Sequence, residues 1–516
     1  MTLRVYNTLS GKKEEFKPIS PPKVGMYACG VTVYDYCHIG HARASVAFDV
    51  IARYLRFAGY DVTYVRNYTD IDDKIINRSN EQGVHWKELA ETFIKAHDTD
   101  MGALGVQRAD VEPRATDYMA QIIAIVKVLV DKGFAYEVEG DVYFEVEKFH
   151  GYGKLSKRNL DDLQAGARID VDERKVNPLD FALWKSSKPG EPEWDSPWGK
   201  GRPGWHIECS AMSAEILGQP LDIHGGGKDL IFPHHENEIA QSEAAGGREF
   251  VRYWMHNGFV NIDSEKMSKS LGNFFTIREV LEKFDPDVVR FFLLSTHYRS
   301  PLDFSDDALD KARIGLNKFA NLFVRMARIG QENRETNDDE KEVLDSFAND
   351  IEPSFVKSMN DDFNTAGAIG HLFKAIPLVN AMLNKADEES QVGVSKEAFE
   401  TIDAFFRKVG SILGLFEDGI DWGHKFLGIQ DVTVQLGVPH AKGTVLSVET
   451  SFSGTASMKT EGYVIPREVN ELIAEREKAR EEKNYALSDE LRDKIAELGF
   501  TVQDTPQGAI AVLIKK

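Results

Sequence analysis

At 516 residues the chain exceeds what one hydrophobic core supports, so three or more domains are expected, and 42% hydrophobic residues are ample for packed cores. A formal net charge of −21 argues against a general nucleic-acid binder, whose footprint is basic; a local basic track stays compatible with it. Three cysteines, Cys29, Cys37 and Cys209, are too few and odd in number for a disulfide framework. No apolar run approaches membrane-spanning length, and the first residues lack a signal peptide's apolar block, so a cytoplasmic protein without a membrane segment is expected.

In chain order, residues 3–6 form a short edge strand and residues 24–28 an apolar strand that ends at Cys29-Gly30. His38-Ile39-Gly40-His41 then leads into a helix over 42–58, with Ala47, Val50, Ile51, Tyr54 and Ala58 at helical steps and Gly59 as its cap. Residues 61–66 alternate as the next strand. Strand, helix and strand open a parallel doubly wound sheet, whose ligands bind beyond the carboxyl ends of its strands.

At such an end His38, Gly40 and His41 suit a phosphate, because helix-start N–H groups point outward and glycine lets a ligand approach. Two surface histidines at a helix start fit the same four residues. Asp70, Asp72 and Asp73 end the second strand; they read as orienters of an amino group or Mg²⁺, or for Asp72 and Asp73 as helix caps.

Helices are expected over 86–104 and 116–131, a hairpin over 135–149 around Gly140-Asp141, and loop over 187–204. Residues 225–227 are three glycines, a turn or a flat seat for a planar ligand, with Asp229 placed to accept from ribose hydroxyls. His234 and Glu238 stand four apart, which on a helix stacks them on one face. That spacing serves an intrahelical contact as well as a ligand pair. A strand is expected over 251–264 and a polar loop over Lys266-Met267-Ser268-Lys269-Ser270. Helices follow over 277–296 and 305–329, through 340–415 and again over 467–498, with Leu472, Ile473, Ala479, Leu487, Leu491, Ile495 and Leu498 inward and Arg476, Arg480 and Lys483 on one solvated face. Residues 426–462 are β-branched and glycine-rich, a small strand-rich insert.

His38-Ile39-Gly40-His41 early and Lys266 to Ser270 late, the latter followed by Leu271-Gly272-Asn273, resemble the signatures of class I aminoacyl-tRNA synthetases. Cys29 to Asp35, the Thr69-Asp70-Ile71-Asp72-Asp73-Lys74 segment and Met359 to Thr365 resemble the cysteine-specific family, the cysteinyl-tRNA synthetases. The resemblance implies an α/β fold: a Rossmann-type catalytic domain in two halves, 1–119 and 206–264, split by an inserted subdomain at 120–205. A signature loop and stem-contact region at 265–310 follows, then a helical tRNA-binding bundle at 311–425 and a C-terminal anticodon-binding domain at 426–516.

The implied activity joins L-cysteine to tRNA(Cys) in two steps, through cysteinyl-adenylate made from Mg·ATP. His38, His41, Lys266 and Lys269 are the implied catalytic residues, and with Gly40, Gly227 and Asp229 they bind ATP. Cys29, Gly30, Thr69, Trp205 and His234 are implied at the amino acid. One zinc ion per subunit is implied on Cys29, Cys209, His234 and Glu238, a mixed set with soft thiolates that favours zinc; Cys37 is the competing thiol, more fitting as a small buried hydrophobe. Zinc separates sulfur from oxygen, which shape alone does poorly, so no editing domain is expected. A monomer is expected. A tryptophan near the C-terminus, carried by bacterial relatives, is missing here, which leaves anticodon reading without its stacking group. The rival readings are a ligase joining cysteine to a small amino sugar, a zinc hydrolase, and a non-catalytic tRNA-binding paralogue. The tail at 467–516 argues against the first and Lys266–Ser270 against the second.

Overall fold

The computed structural model describes residues 2–158, 174–262, 265–266, 274–388, 393–427, 433–434, 448–449, 467–482, 484–497, 500–505 and 508–513. The chain divides into two compact units. One comprises Met1–Leu316, Leu344–Pro377 and Ala404–Glu417; the other comprises Asn317–Val343, Leu378–Asp403 and Asp418–Lys516.

The first unit opens with a hairpin, β1 (Arg4–Asn7) and β2 (Lys12–Glu15), paired antiparallel. Its centre is a four-stranded parallel sheet of β3 (Lys23–Thr32), β4 (Asp61–Thr69), β9 (Leu221–Gly227) and β10 (Val251–Asn257), in the order β10-β9-β3-β4. The chain steps from β3 to β4 through α1 (Ile39–Phe57) and later returns to the other side of β3. Strand order therefore reverses between β3 and β9. That is where a doubly wound sheet opens a crevice at its carboxyl edge.

Between β4 and β9 run α2 (Asp73–Gln82), α3 (Trp86–Ala103) and α4 (Met119–Asp131), then an antiparallel sheet in the order β5 (Ala135–Val138), β6 (Asp141–Phe144), β7 (Phe181–Ser186), β8 (Gly201–Pro203). α5 (Trp205–Leu217) follows β8, and α6 (Glu236–Gly246) lies between β9 and β10. Tyr27, Val65, Ile207, Met212, Ile239 and Trp254 join one core beneath the sheet. The expected hairpin around Gly140-Asp141 is β5–β6.

Several expectations change. Helix α1 starts at Ile39 instead of residue 42, so His38 is its N-cap and Gly40-His41 lie in its first turn. The three glycines form no turn: they are paired strand residues, Gly225 to Met255, Gly226 to His256 and Gly227 to Asn257. A Cβ on Gly225 would meet Met255 O at 2.3 Å and the Phe48 ring at 2.5 Å, so tight layering demands glycine there. The strand expected over 251–264 divides into β10 and β11 (Val260–Ile262), and Lys266 belongs to β12 (Glu265–Lys266) instead of a loop. β11 pairs with β12 antiparallel and with β13 (Leu302–Phe304) parallel. The helix expected over 277–296 is two, α7 (Ile277–Leu281) and α8 (Pro286–Leu294). Asp285 caps the second, and Pro286 cannot continue the first.

The second unit carries helical segments and a short parallel pair, Gln331–Glu332 with Val394–Ser395. Arg334 Nη2 donates to Glu340 Oε1 at 2.7 Å, and that carboxylate also accepts from Ser395 N at 2.8 Å. The first two residues of the expected insert, Phe426 and Leu427, close the helix Ile420–Phe426; beyond them only Thr433–Val434 and Val448–Glu449 are described, and they pair antiparallel. The helices Arg467–Glu481 and Tyr485–Glu497 form the expected pair. Ile473, Ala479, Leu491 and Ile495 are buried and Leu472 half-buried, but Leu487 is exposed; Leu498 lies outside the described residues. Arg476 is buried, so it does not share the expected solvated face with Arg480, and Lys483 lies outside the described residues. A hairpin of Phe500–Thr505 and Gly508–Leu513 was not anticipated. Against expectation, residues 365–386 of the helix Thr365–Glu388 are long and apolar enough to cross a membrane by length and composition; Ala368, Leu372, Ala375, Val379 and Leu383 on it are buried in protein.

Candidate metal centre and nucleotide site

Cys29 sits near the carboxyl end of β3, beside the point where strand order reverses. Its Sγ lies 3.7 Å from Cys209 Sγ, 3.5 Å from His234 Nε2 and 3.5 Å from Glu238 Oε1. His234 Nε2 is 3.0 Å from Glu238 Oε1. Cys209 comes from the body of α5, where it is buried. His234 stands in the irregular turn Ile231–His235, and Glu238 in the first turn of α6.

These separations fit a tetrahedral zinc site. With zinc–sulfur near 2.3 Å and zinc–nitrogen near 2.0 Å, tetrahedral edges are about 3.8 Å between sulfurs and about 3.5 Å between sulfur and nitrogen. The four donors are buried or half-buried, and such a cluster of titratable groups is costly without a compensating charge. Glu238 Oε2 lies 3.0 Å from His224 Nε2 without hydrogen-bond alignment, and His224 Nδ1 has no hydrogen-bond partner among the described residues.

The electrostatics divide the site. Accepting the Cys29 S–H holds the Cys209 thiol down at about 6, while burial pushes Cys29 up. Burial would raise Glu238, but the His224 and His234 imidazoles hold it well below the usual carboxylate range. Burial would lower His234, yet Glu238 lifts it to about 10. Burial keeps His206 and His235 neutral.

Gly30 follows Cys29, and its N–H donates to Asn67 Oδ1 at 2.9 Å. A Cβ there would fall 1.6 Å from the Asn67 carbonyl oxygen. We therefore expect Gly30→Ala to push β3 off β4 and cost about 1–3 kcal/mol of stability, read as a lower urea midpoint. An unchanged midpoint with wild-type metal binding would show that the strand yields freely. Thr69 Oγ1 donates to Glu208 Oε2 at 3.1 Å, both side chains buried. Trp205 opens α5, 38% exposed, with its ring centroid 4.3 Å from that of His234. Asp72 is the N-cap of α2, accepting from Lys74 N at 2.9 Å.

At the start of α1, His38 Nδ1 accepts from Gly40 N at 3.1 Å, and His38 N donates to His41 Nδ1 at 3.2 Å. The rings stack with centroids 3.8 Å apart. Both Nδ1 atoms accept from backbone, which puts the proton of each neutral ring on Nε2. The backbone of residues 274–277 is joined to this turn: Ile39 N donates to Phe275 O at 3.2 Å and Ile277 N to Cys37 O at 2.9 Å. Cys37 is buried there and belongs to no metal cluster found among the described residues. Gly227 ends β9, where a Cβ would meet Asp229 Oδ1 at 2.4 Å. Asp229 lines a recess with Ser156, Arg158, Lys228 and Phe232. Lys269 lies outside the described residues, and of Lys266 only the β12 backbone is described.

The sequence reading missed Asn67, Glu208, His224 and His235. Asn67 Oδ1 also accepts from Cys209 Sγ at 3.8 Å, so one amide ties Gly30 to the donor cluster. His224, His235, Cys29 and Glu238 form a second donor set that overlaps the first. The signal for His224 was its place on β9, one residue before the glycines.

Three family patterns match the chain. The "tRNA synthetases class I (C) catalytic domain" matches residues 15–314, the "DALR domain" 354–417, and the "Cysteinyl-tRNA ligase anticodon binding domain" 464–509. The cysteine–tRNA ligase of Trichlorobacter lovleyi is 53% identical over 514 residues, covering 98% of this chain and 99% of that one. That of Geobacter sulfurreducens is 52% identical over 509 residues, with the same coverage. Among solved structures, methionyl-tRNA synthetase of Mycobacterium tuberculosis with methionyl-adenylate aligns with a TM-score of 0.59 at 17% identity, over 79% of this chain and 94% of that one, a likeness of fold. With a catalytic-domain match over more than half its length and relatives this similar from end to end, the chain belongs to the cysteine–tRNA ligase family of class I aminoacyl-tRNA synthetases.

Proposed function

We propose that the protein activates L-cysteine with Mg·ATP and transfers it to the 3′ end of tRNA(Cys), acting as a cytoplasmic monomer. The observation that carries this reading is the convergence of Cys29, Cys209, His234 and Glu238 at the sheet's crevice, in the same unit as the His38–His41 turn. Zinc bound there supplies a Lewis acid that lowers a thiol's pKa and prefers sulfur to a neutral hydroxyl.

In the first step the cysteine carboxylate attacks the α-phosphorus of ATP, and the bond to pyrophosphate breaks. His38 and His41 donate from Nε2 to the phosphate oxygens, where negative charge concentrates. Lys266 and Lys269 neutralise the departing pyrophosphate. In the second step a ribose hydroxyl of the terminal adenosine attacks the acyl carbon, and AMP leaves. Thr69 and Gly30 position the amino acid, and Gly227 and Asp229 the adenosine. Positioning and electrostatics do most of the work. Residues 120–205 act as the inserted subdomain, 311–425 as the tRNA-binding bundle and 426–516 as the anticodon-binding end.

Trp205 walls the amino-acid pocket beside His234. Removing its apolar face in Trp205→Ala forfeits on the order of 1–2 kcal/mol, so the KM for cysteine should rise roughly tenfold. The exchange kcat should stay near wild type. A fall in kcat at unchanged KM would remove Trp205 from the pocket. The reading as a whole is tested by metal content together with ATP–pyrophosphate exchange, cysteine against serine. Exchange with serine as fast as with cysteine, or a fully active metal-free protein, would sink it.

A further inference from the structure

The loop between β3 and α1 carries two tyrosines just ahead of His38, Tyr34 and Tyr36, that the two chemical steps leave unused. Tyr36 is 39% exposed, and the Arg278 guanidinium lies 4.5 Å from its ring centroid. Two contacts hold this stack in place. Asp100, buried on α3, accepts from Arg278 Nε at 2.8 Å, and Phe93 meets the Tyr36 ring edge-on at 5.3 Å. Arg278 follows directly on the Ile277–Cys37 backbone bond, so the stack is fixed relative to the His38 turn. Beside it, Lys74 Nζ sits 5.4 Å over the Tyr34 ring, and Lys87 Nζ sits 5.3 Å over Trp86. Tyr34 and Trp86 pack on the same small core as Val33, Tyr68 and Phe93.

Three aromatic rings, each faced by a cation, are therefore found on the loop just ahead of His38 and on the small core that Tyr34 shares with Trp86, in a chain whose net charge is −21. Planar faces with cations suit a flexible polyanion that carries flat bases. An acidic peptide would use the charges and leave the planar faces idle. We infer that Tyr36 with Arg278, extended by Tyr34–Lys74 and Trp86–Lys87, is a stacking platform for the single-stranded 3′ end of the tRNA. This rests on the proposed charging reaction and deepens it. Bases stack on the rings and on the flat guanidinium, and phosphates meet the lysines. The recognition is tolerant of base identity because every base has a π-face.

The test compares binding of intact tRNA(Cys) with that of the same tRNA lacking its single-stranded 3′ end, alongside cysteine-dependent pyrophosphate exchange without tRNA. Arg278→Ala and Tyr36→Ala should each weaken intact tRNA about tenfold, the scale of one lost stacking contact. Neither should change binding of the shortened tRNA, and exchange should stay within about twofold, since the platform touches neither ATP nor cysteine. Tyr36→Phe keeps the ring and should bind as wild type. Arg278→Met removes the cation at similar length and carries the same test if Tyr36→Ala fails to fold. Lys127→Ala, in an exposed pair with Asp131 on α4, should change nothing. Equal weakening of both tRNAs, or of neither, overturns the platform. Failure of exchange in the wild-type protein is a different result, and overturns the charging reaction on which the platform depends.

Discussion

Cys209→Ser should lose its metal and, with it, most of its ability to use cysteine. The thiol stands 3.7 Å from Cys29 Sγ, and the four donors lie within 4.8 Å of one another. A hydroxyl in place of the thiolate leaves the set one charge short, around buried His234 and Glu238 that were arranged for it. Breaking one member of a buried charged set costs about 3 kcal/mol or more, which corresponds to roughly a hundredfold or more in kcat/KM for cysteine. ATP binding should change little, because the His38–His41 turn is held by its own backbone bonds and by residues 275–277. Metal content, KM for cysteine and KM for ATP are the three measurements. Parallel loss of both substrates in a folded protein would show that the cluster is a structural staple. Normal metal content with unchanged cysteine KM would exclude Cys209 from the site.

The parts that were legible in the sequence share a cause: local chemistry with short-range period. The strand–helix–strand start, the β5–β6 hairpin and the Asp72 cap follow from alternation, helical steps and turn residues, and the structure has each. The four cluster residues were legible only through resemblance. Nothing in the spacing of Cys29, Cys209 and His234 says that β3, α5 and the turn before α6 converge, since that depends on strand order. Strand order is also why the glycines misled. Three in a row suggest a turn, but they lie on β9 between β3 and β10, and the first of them, Gly225, is the one that lets Phe48 press against the strand. The helix break at residues 282–285 was legible in hindsight, because Asp285-Pro286 is a strong start signal that the apolar periodicity overrode. Asn67 and Glu208 escaped because a buried amide and a buried carboxylate have no pattern in one dimension. Their partners, Gly30 and Thr69, are distant in sequence and adjacent in the sheet.

Asp49→Ala should destabilise the catalytic unit by about 3–5 kcal/mol, the scale of an uncompensated buried charge. Asp49 lies on the side of α1 away from solvent and answers two guanidinium groups at once. Arg290 of α8, fully buried, donates to it at 2.5 Å, and Arg53 Nε donates to both its oxygens at 3.0 Å. The same arginines reach the carbonyls of Leu104, Gly105, Ser411 and Leu413 at 2.7–2.9 Å. Asp49 Oδ1 accepts further from Gln107 N at 3.0 Å. One carboxylate thus fixes the helix that His38 caps to α8, to the segment after α3 and to residues 411–413. Glu417, the remaining acid on Arg53, is half exposed and balances little of the charge. Urea unfolding followed on α1 by hydrogen exchange measures the loss. Asp49→Asn keeps an acceptor for Gln107 but not the charge, so it should recover less than half. Pairing Asp49→Ala with Arg290→Met replaces an ion pair by apolar volume and should restore more than Asn does, because the penalty lies in the unpaired charge more than in the missing attraction. If the double variant is instead the least stable of the three, the hydrogen bonds to Leu104 and Leu413 matter more than the charge balance, and the cluster holds the unit together as a backbone clamp.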